Sequence, residues 1–259
     1  MRALSGLGCA LLVAAAAQAE VSICTDRPTK ANAVCTVPAG RVQVETSVAG
    51  WSLTRQGGIR SELLTLGSTT AKYGLSATSD LQIGFTPIAR LTVRQDGDRQ
   101  RLSAVGDVVI RYKRRLTADH SRVQVGIIPF VKLPTAKRGL DNRRVEGGIA
   151  VPVSVAAGKA TVTFGPELDL LVDGDGDGHH LALVNLVNLG VPVANRMTLI
   201  GELWSNFNFD PAATVRQASA DAAVAYSLSD NFQLDVGANI GLTSDTPDIE
   251  ILAGASIRF

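Results

Sequence analysis

The last nine residues, "ILAGASIRF", place Ile251, Ala253, Ala255, Ile257 and Phe259 on one parity, with Ser256 and Arg258 on the other. A period of two belongs to a β-strand, whose successive side chains point to opposite faces. The same period recurs back to Val42. In "DLQIGFTPIARLTVR", Leu81, Ile83, Phe85, Ala89, Leu91 and Val93 share one face, and Gln82, Thr86, Arg90, Thr92 and Arg94 share the other. "GDVVIRYKRRL" sets Val108, Ile110, Tyr112 and Leu116 against Asp107, Arg111, Lys113 and Arg115. "RVEGGIAVPVSV", "TVTFGPELDLLVD" and "FQLDVGANIGL" repeat the pattern, while 42–55 and 180–192 keep it less cleanly. The segments 42–54, 60–74, 81–94, 105–116, 122–134, 144–156, 160–173, 180–192, 197–209, 215–228, 232–242 and 249–259 predict about twelve strands. An even count returns both ends of the chain to one rim. Connections such as "SATSD", "AAGK" and "VANR" read as tight turns, whereas "QDGDRQRLSA", "TAKRGLDNR" and "DGDGDGHH" read as loops on the opposite rim. The fold expected is all-β: an antiparallel up-and-down barrel over 42–259.

Alternation alone does not say which face looks inward. A soluble barrel hides its apolar face and a membrane barrel shows it to lipid. The apolar parity carries very few charges, over strands long enough to cross a bilayer, which takes about 9–11 residues. The polar parity carries charges in mid-strand, where a wet lumen would solvate them. Lipid tolerates no unpaired strand edge, so the last strand must close on the first. A terminal strand ending on Phe259 resembles the C-terminal signature of bacterial outer-membrane barrels, and the resemblance implies that the barrel-assembly machinery reads it. Outer-membrane lipid and that machinery are therefore the expected partners.

The N-terminus agrees. "MRALSGLGCALLVAAAAQAE" has a positive charge at Arg2, an apolar stretch, and small residues at Ala17 and Ala19. That is the layout of a signal peptide over 1–19, removed with Cys9. Cys24 and Cys35 remain, and in an oxidising compartment they are expected to pair, stabilising by roughly 3 kcal/mol. Residues 20–41 then form a periplasmic segment pinned by that disulfide. With 25 Lys+Arg against 24 Asp+Glu, nothing points to a nucleic acid partner.

No residue pattern points to catalysis, a metal or a cofactor. "DGDGDG" from Asp173 opens like a calcium loop, but its twelfth position is Val184 rather than glutamate, and a solvated hairpin loop is the simpler reading. His179 and His180 adjoin it, yet neighbours on a strand point apart, and no serine lies within eight residues. The mid-strand charges are the informative residues. Asp107, Arg111, Lys113, Arg115, Lys132, Glu146, Glu167, Asp169, Glu202, Asp221, Asp235 and Arg258 are expected to face the lumen. They would either line a pore, with Arg111, Lys113 and Arg115 opposing Glu167 and Asp169, or pair across the interior and plug it. Arg114 falls on the lipid parity near a turn, where it could snorkel.

The stretches "CTDRPTKANAVCTVPAGRVQVET", "AKYGLSATSDLQIGF", "GDVVIRYKRRL", "IIPFVKLPT", "GPELDLLVDGDGDGHH" and "NFDP", in that order along one chain, resemble the outer-membrane family of phenol-degradation meta-pathway proteins. The resemblance implies a transporter-like barrel for small, aromatic or hydrophobic solutes, and brings no catalytic residues. Without it, the polar interior still predicts a channel for small molecules, against an embedded hydrolase or a non-conducting structural barrel.

Overall fold

A computed structural model describes residues 22–136 and 143–259. The expected signal peptide and the first two residues of the segment after it lie outside the described residues. The strand segments are β1 (Val42–Gln56), β2 (Ile59–Ser76), β3 (Ser79–Phe85), β4 (Ile88–Gln95), β5 (Asp98–Ala104), β6 (Val108–Arg115), β7 (Val123–Leu133) and β8 (Glu146–Ala150). They continue with β9 (Val153–Ala157), β10 (Ala160–Phe164), β11 (Glu167–Val172), β12 (His179–Ala194), β13 (Met197–Asn208), β14 (Val215–Ser229), β15 (Phe232–Gly241) and β16 (Ile249–Arg258). Four crossings are each interrupted once, so β3/β4, β5/β6, β8/β9 and β10/β11 count as single wall strands and the wall has twelve. Every neighbour is antiparallel. β1 pairs with β16, Gln43 opposite Arg258 and Leu53 opposite Ile249, which closes the barrel. Phe259 N–H donates to the Val42 carbonyl at 2.8 Å and fastens the last residue to the first strand.

The barrel is inside out relative to a soluble protein. Leu81, Ile83, Phe85, Leu168, Leu170, Leu234, Val236, Ile240, Ile251 and Ile257 are exposed, while Gln43, Glu45, Lys72, Asp80, Gln82, Lys113, Asp169, Glu202 and Asp221 are buried. Exposed aliphatic side chains around a closed wall, with buried charges inside it, make this an outer-membrane barrel whose apolar face meets lipid. In 180–192, where the alternation was blurred, Asn188 is buried and bonded while Asn185 is exposed, and Leu186 turns inward.

Two expectations change. "QDGDRQRLSA" is not a loop: Asp96 and Gly97, both at positive φ, make a two-residue turn, and the chain re-enters the sheet at Asp98. Both central residues of such a hairpin turn need the left-handed region, which Asp tolerates and Gly adopts freely. The single face assigned to 81–94 is also wrong beyond Phe85. β1 holds one residue more than β16 between Ser47 and Ala49, and β2 and β4 follow β1 in step past Gly67 and Pro87. Above that level the phase reverses. Ala89, Leu91 and Val93 turn inward with Thr65, Leu63 and Ser61, and Ile88, Arg90 and Arg94 turn outward with Leu66, Leu64 and Arg60. A bulge inserts one residue and swaps the faces of everything beyond it, and Pro87, which has no N–H for the ladder, sits at this break.

Replacing Ile83 (46 % exposed) by Arg should cost roughly 2–4 kcal/mol near mid-bilayer. Urea unfolding in lipid vesicles, followed by the heat-dependent gel shift of folded barrels, measures it; Thr70→Arg, on the inward parity opposite Glu45 and beside open space, should cost less.

Candidate functional site

Residues 22–41 do not stand apart as a periplasmic segment. They fold back into the barrel and bond to its inner wall on many sides. The Cys24–Cys35 disulfide is formed and closes the loop that makes these contacts. Asp26 accepts from Lys72 Nζ of β2 at 2.5 Å and from Lys113 Nζ of β6 at 2.6 Å. Arg27 pairs with Asp235 of β15 at 2.6 Å. Lys30 Nζ reaches Asp221 of β14 at 2.8 Å and lies over the Trp204 ring of β13 at 5.1 Å. The backbone N–H groups of Lys30 and Ala31 both donate to the Glu202 carboxylate at 3.0 Å, and Asn188 donates to Thr29. Val37 N–H donates to Asp80 of β3, and Arg111 donates to Asn32.

The inner wall therefore carries charges complementary to a short charged loop. Asp26 is the pivot. Burial alone would push its carboxyl group up, but the ammonium groups of Lys113 and Lys72 more than reverse this and hold it well below the usual carboxylate range. Lys72 also meets Glu45 at 2.5 Å, so the buried ammonium groups of Lys72 and Lys113 are neutralised by buried Glu45 and by the half-buried Asp26.

Eleven of the twelve sequence-derived residues lie on strands and Asp107 just precedes β6; they divide in role. Lys113, Glu202, Asp221 and Asp235 hold the loop, as given above. Arg115 and Arg258 sit near the rim that carries the termini. Arg115 bonds Asp119 and the Ala77 carbonyl, and Arg258 donates to Asn231 at 2.7 Å. Lys132 bridges Glu146 and, at 3.8 Å, Asp107 toward the far rim. Arg111, Glu167 and Asp169 line open space. One cavity of about 460 Å³ is bounded by these three with Lys30, Trp204 and Leu186. A second, of about 320 Å³, lies among Glu45, Ser47, Thr70, Asp107 and Arg111. Asp26 and Arg111 border both. The basic row of β6 is thus split, with Arg111 lining and Lys113 closing.

Sequence reasoning missed Asp26, Arg27 and Lys30 as lumen residues. The available signal was three charges within a cysteine-bounded loop facing a wall of unpaired strand charges. The acidic loop after β11 does not converge on a cation. Asp173 bonds His180 Nδ1 at 2.8 Å, Asp175 accepts from Asp177 N–H, and Gly174 N–H donates to Asp210. Among the described residues no group of three or more ligating side chains could hold a metal.

Asp26→Asn removes the anion shared by Lys72 and Lys113. Breaking a buried pair of this kind costs about 3–5 kcal/mol, so the variant should melt lower and conduct more in planar bilayers. Because the Asp26 pKa is depressed, its contribution is complete above the unfolded value of 3.8 and is lost only as pH falls through the lower folded value. Conductance of the native protein governed by this latch should therefore not change between pH 7.5 and 5, and should rise only in strong acid.

No curated protein matches this chain. The crystal structure of an outer membrane channel from Pseudomonas putida F1 superposes with a TM-score of 0.72 at 14 % identity, covering 90 % of this chain and 100 % of that one. The translocator domain of the autotransporter NalP from Neisseria meningitidis superposes with a TM-score of 0.52 at 12 % identity, covering 86 % and 90 %. At these identities the likeness is one of fold, and the fold is that of outer-membrane barrels. The sequence pattern of the family described as "Putative MetA-pathway of phenol degradation" matches residues 25–259, which takes in the lumen loop as well as the wall, and the chain belongs to that family.

Proposed function

We propose that the protein is a non-enzymatic outer-membrane channel for small solutes, with aromatic or hydrophobic molecules as its cargo. The observation that carries this is the pair of lumen cavities meeting at Asp26 and Arg111. A water-filled polar lumen would not need Val184, Leu186, Pro152 and Trp204 along one side. Those side chains give a ring-sized apolar solute a surface to lie on, while Arg111, Asn206 and Asp169 bond its polar substituent. The Pseudomonas channel and the phenol-degradation description of the family support the same reading. An embedded hydrolase has less support, because His180 bonds Asp173 and His179 bonds the Val145 carbonyl rather than a serine. The exposed ring of Phe259, held at the rim by its own N–H, is the part of the last strand offered to the assembly machinery.

Liposomes containing the native protein should take up labelled monocyclic aromatics faster than empty liposomes, and Trp204→Ala should alter that rate. Arg111→Gln removes one bond to Asn32, so it should lower thermal melting less than Asp26→Asn does, and it should shift ion preference toward cations by severalfold in planar bilayers. Absence of uptake by both the native barrel and Asp26→Asn would overturn the channel reading.

A further inference from the structure

The hairpins β1–β2 and β4–β5 form the rim opposite the termini. Their phase reversal turns basic side chains outward, away from the lumen. Arg55 lies opposite Arg60, Arg60 opposite Arg94, and Arg94 opposite Arg99. Four arginines thus stand side by side across four adjacent strand segments, all on the outward face and all exposed. Arg101 and Arg90 are exposed on the same face two and four residues nearer the membrane. The acid set among them is Glu62, bonded by Arg60 at 2.6 Å and 3.9 Å from Arg94, while Asp248 lies 3.8 Å from Arg55. Beneath the row the outward face carries Trp51 and Leu64, level with Arg90, and then Leu66 and Ile88.

Like charges directly opposite on neighbouring strands repel, so this row weakens the hairpins that carry it. An outward face at hydrocarbon depth carries no such charge, which places the row at the level where headgroups begin. Strands about 4.8 Å apart spread four guanidinium groups over about 14 Å. Each offers the planar fork that binds phosphate in a bidentate manner. The apolar residues just below supply a surface for acyl chains.

We propose that this outward face binds the phosphorylated glycolipid of the outer leaflet, with Arg60, Arg94 and Arg99 holding its phosphates and Trp51, Leu64 and Ile88 packing against its chains. The inference rests on the outer-membrane location and not on which solute the lumen carries. Solute uptake is read in a separate assay, so failure of either reading leaves the other standing.

The test is binding of lipid A bearing both phosphates to the detergent-purified full barrel, read by native mass spectrometry, beside dephosphorylated lipid A and phosphatidylglycerol. The native protein should bind the phosphorylated form at least tenfold more tightly than the other two. Arg60→Gln/Arg94→Gln/Arg99→Gln should lose that preference, and the corresponding triple Lys variant should recover part of it. Lys159→Gln, in a turn on the opposite rim, should leave it unchanged. The heat-dependent gel shift checks that each variant is folded. Equal binding of the dephosphorylated lipid, or a folded triple Gln variant with undiminished preference, would overturn the proposal. Equal binding of phosphatidylglycerol would mean a general anionic surface and would overturn it as well.

Discussion

Hydrocarbon offers no hydrogen-bond partner to a peptide group, and the pairing of β1 with β16 is the answer to that constraint. With the edge removed, every outward position is free to be apolar, and the polar residues that a soluble protein would show to water have only the interior left. Glu45, Lys72, Lys113, Asp221 and Asp235 are consequently buried as charges. Buried charges demand partners. Lys113, Asp221 and Asp235 find theirs not on the wall but in the segment that precedes it.

The partners come from residues 24–37. A segment with an acid at Asp26 and bases at Arg27 and Lys30 pairs with bases on β2 and β6 and with acids on β14 and β15. The disulfide confines those groups to one short loop, so fewer conformations are lost when they meet the wall. Lining and plugging are therefore not alternatives here. The same interior is closed where Lys113 meets Asp26 and open where Arg111 faces Glu167 and Asp169.

Much of the wall was legible because lipid enforces a strict period of two. Leu168 and Leu170 against Glu167 and Asp169 needed only parity to be placed. The mid-strand charges were legible for the same reason, since a charge on the apolar parity would face lipid. Parity failed at Val48, Gly67 and Pro87, where inserted residues leave no mark on the alternation until the partner strands are known. The lumen loop was opaque for a different reason. Its contacts join residues such as Arg27 and Asp235 that are 208 positions apart, and no local period encodes a meeting at that distance.

The shared reversal of phase couples the length of one strand to that of its neighbours. Removing Val48 alone would put β1 back in step with β16 but out of step with β2, turning either Trp51 and Leu53 inward or breaking their pairing with Leu64 and Glu62. The same holds for a residue lost at Gly67 or Pro87, since β2 and β4 are locked to β1. Single-residue insertions and deletions at this level are thus tolerated only as matched sets across adjacent strands. This quarter of the wall can vary freely in residue type while its residue count stays fixed.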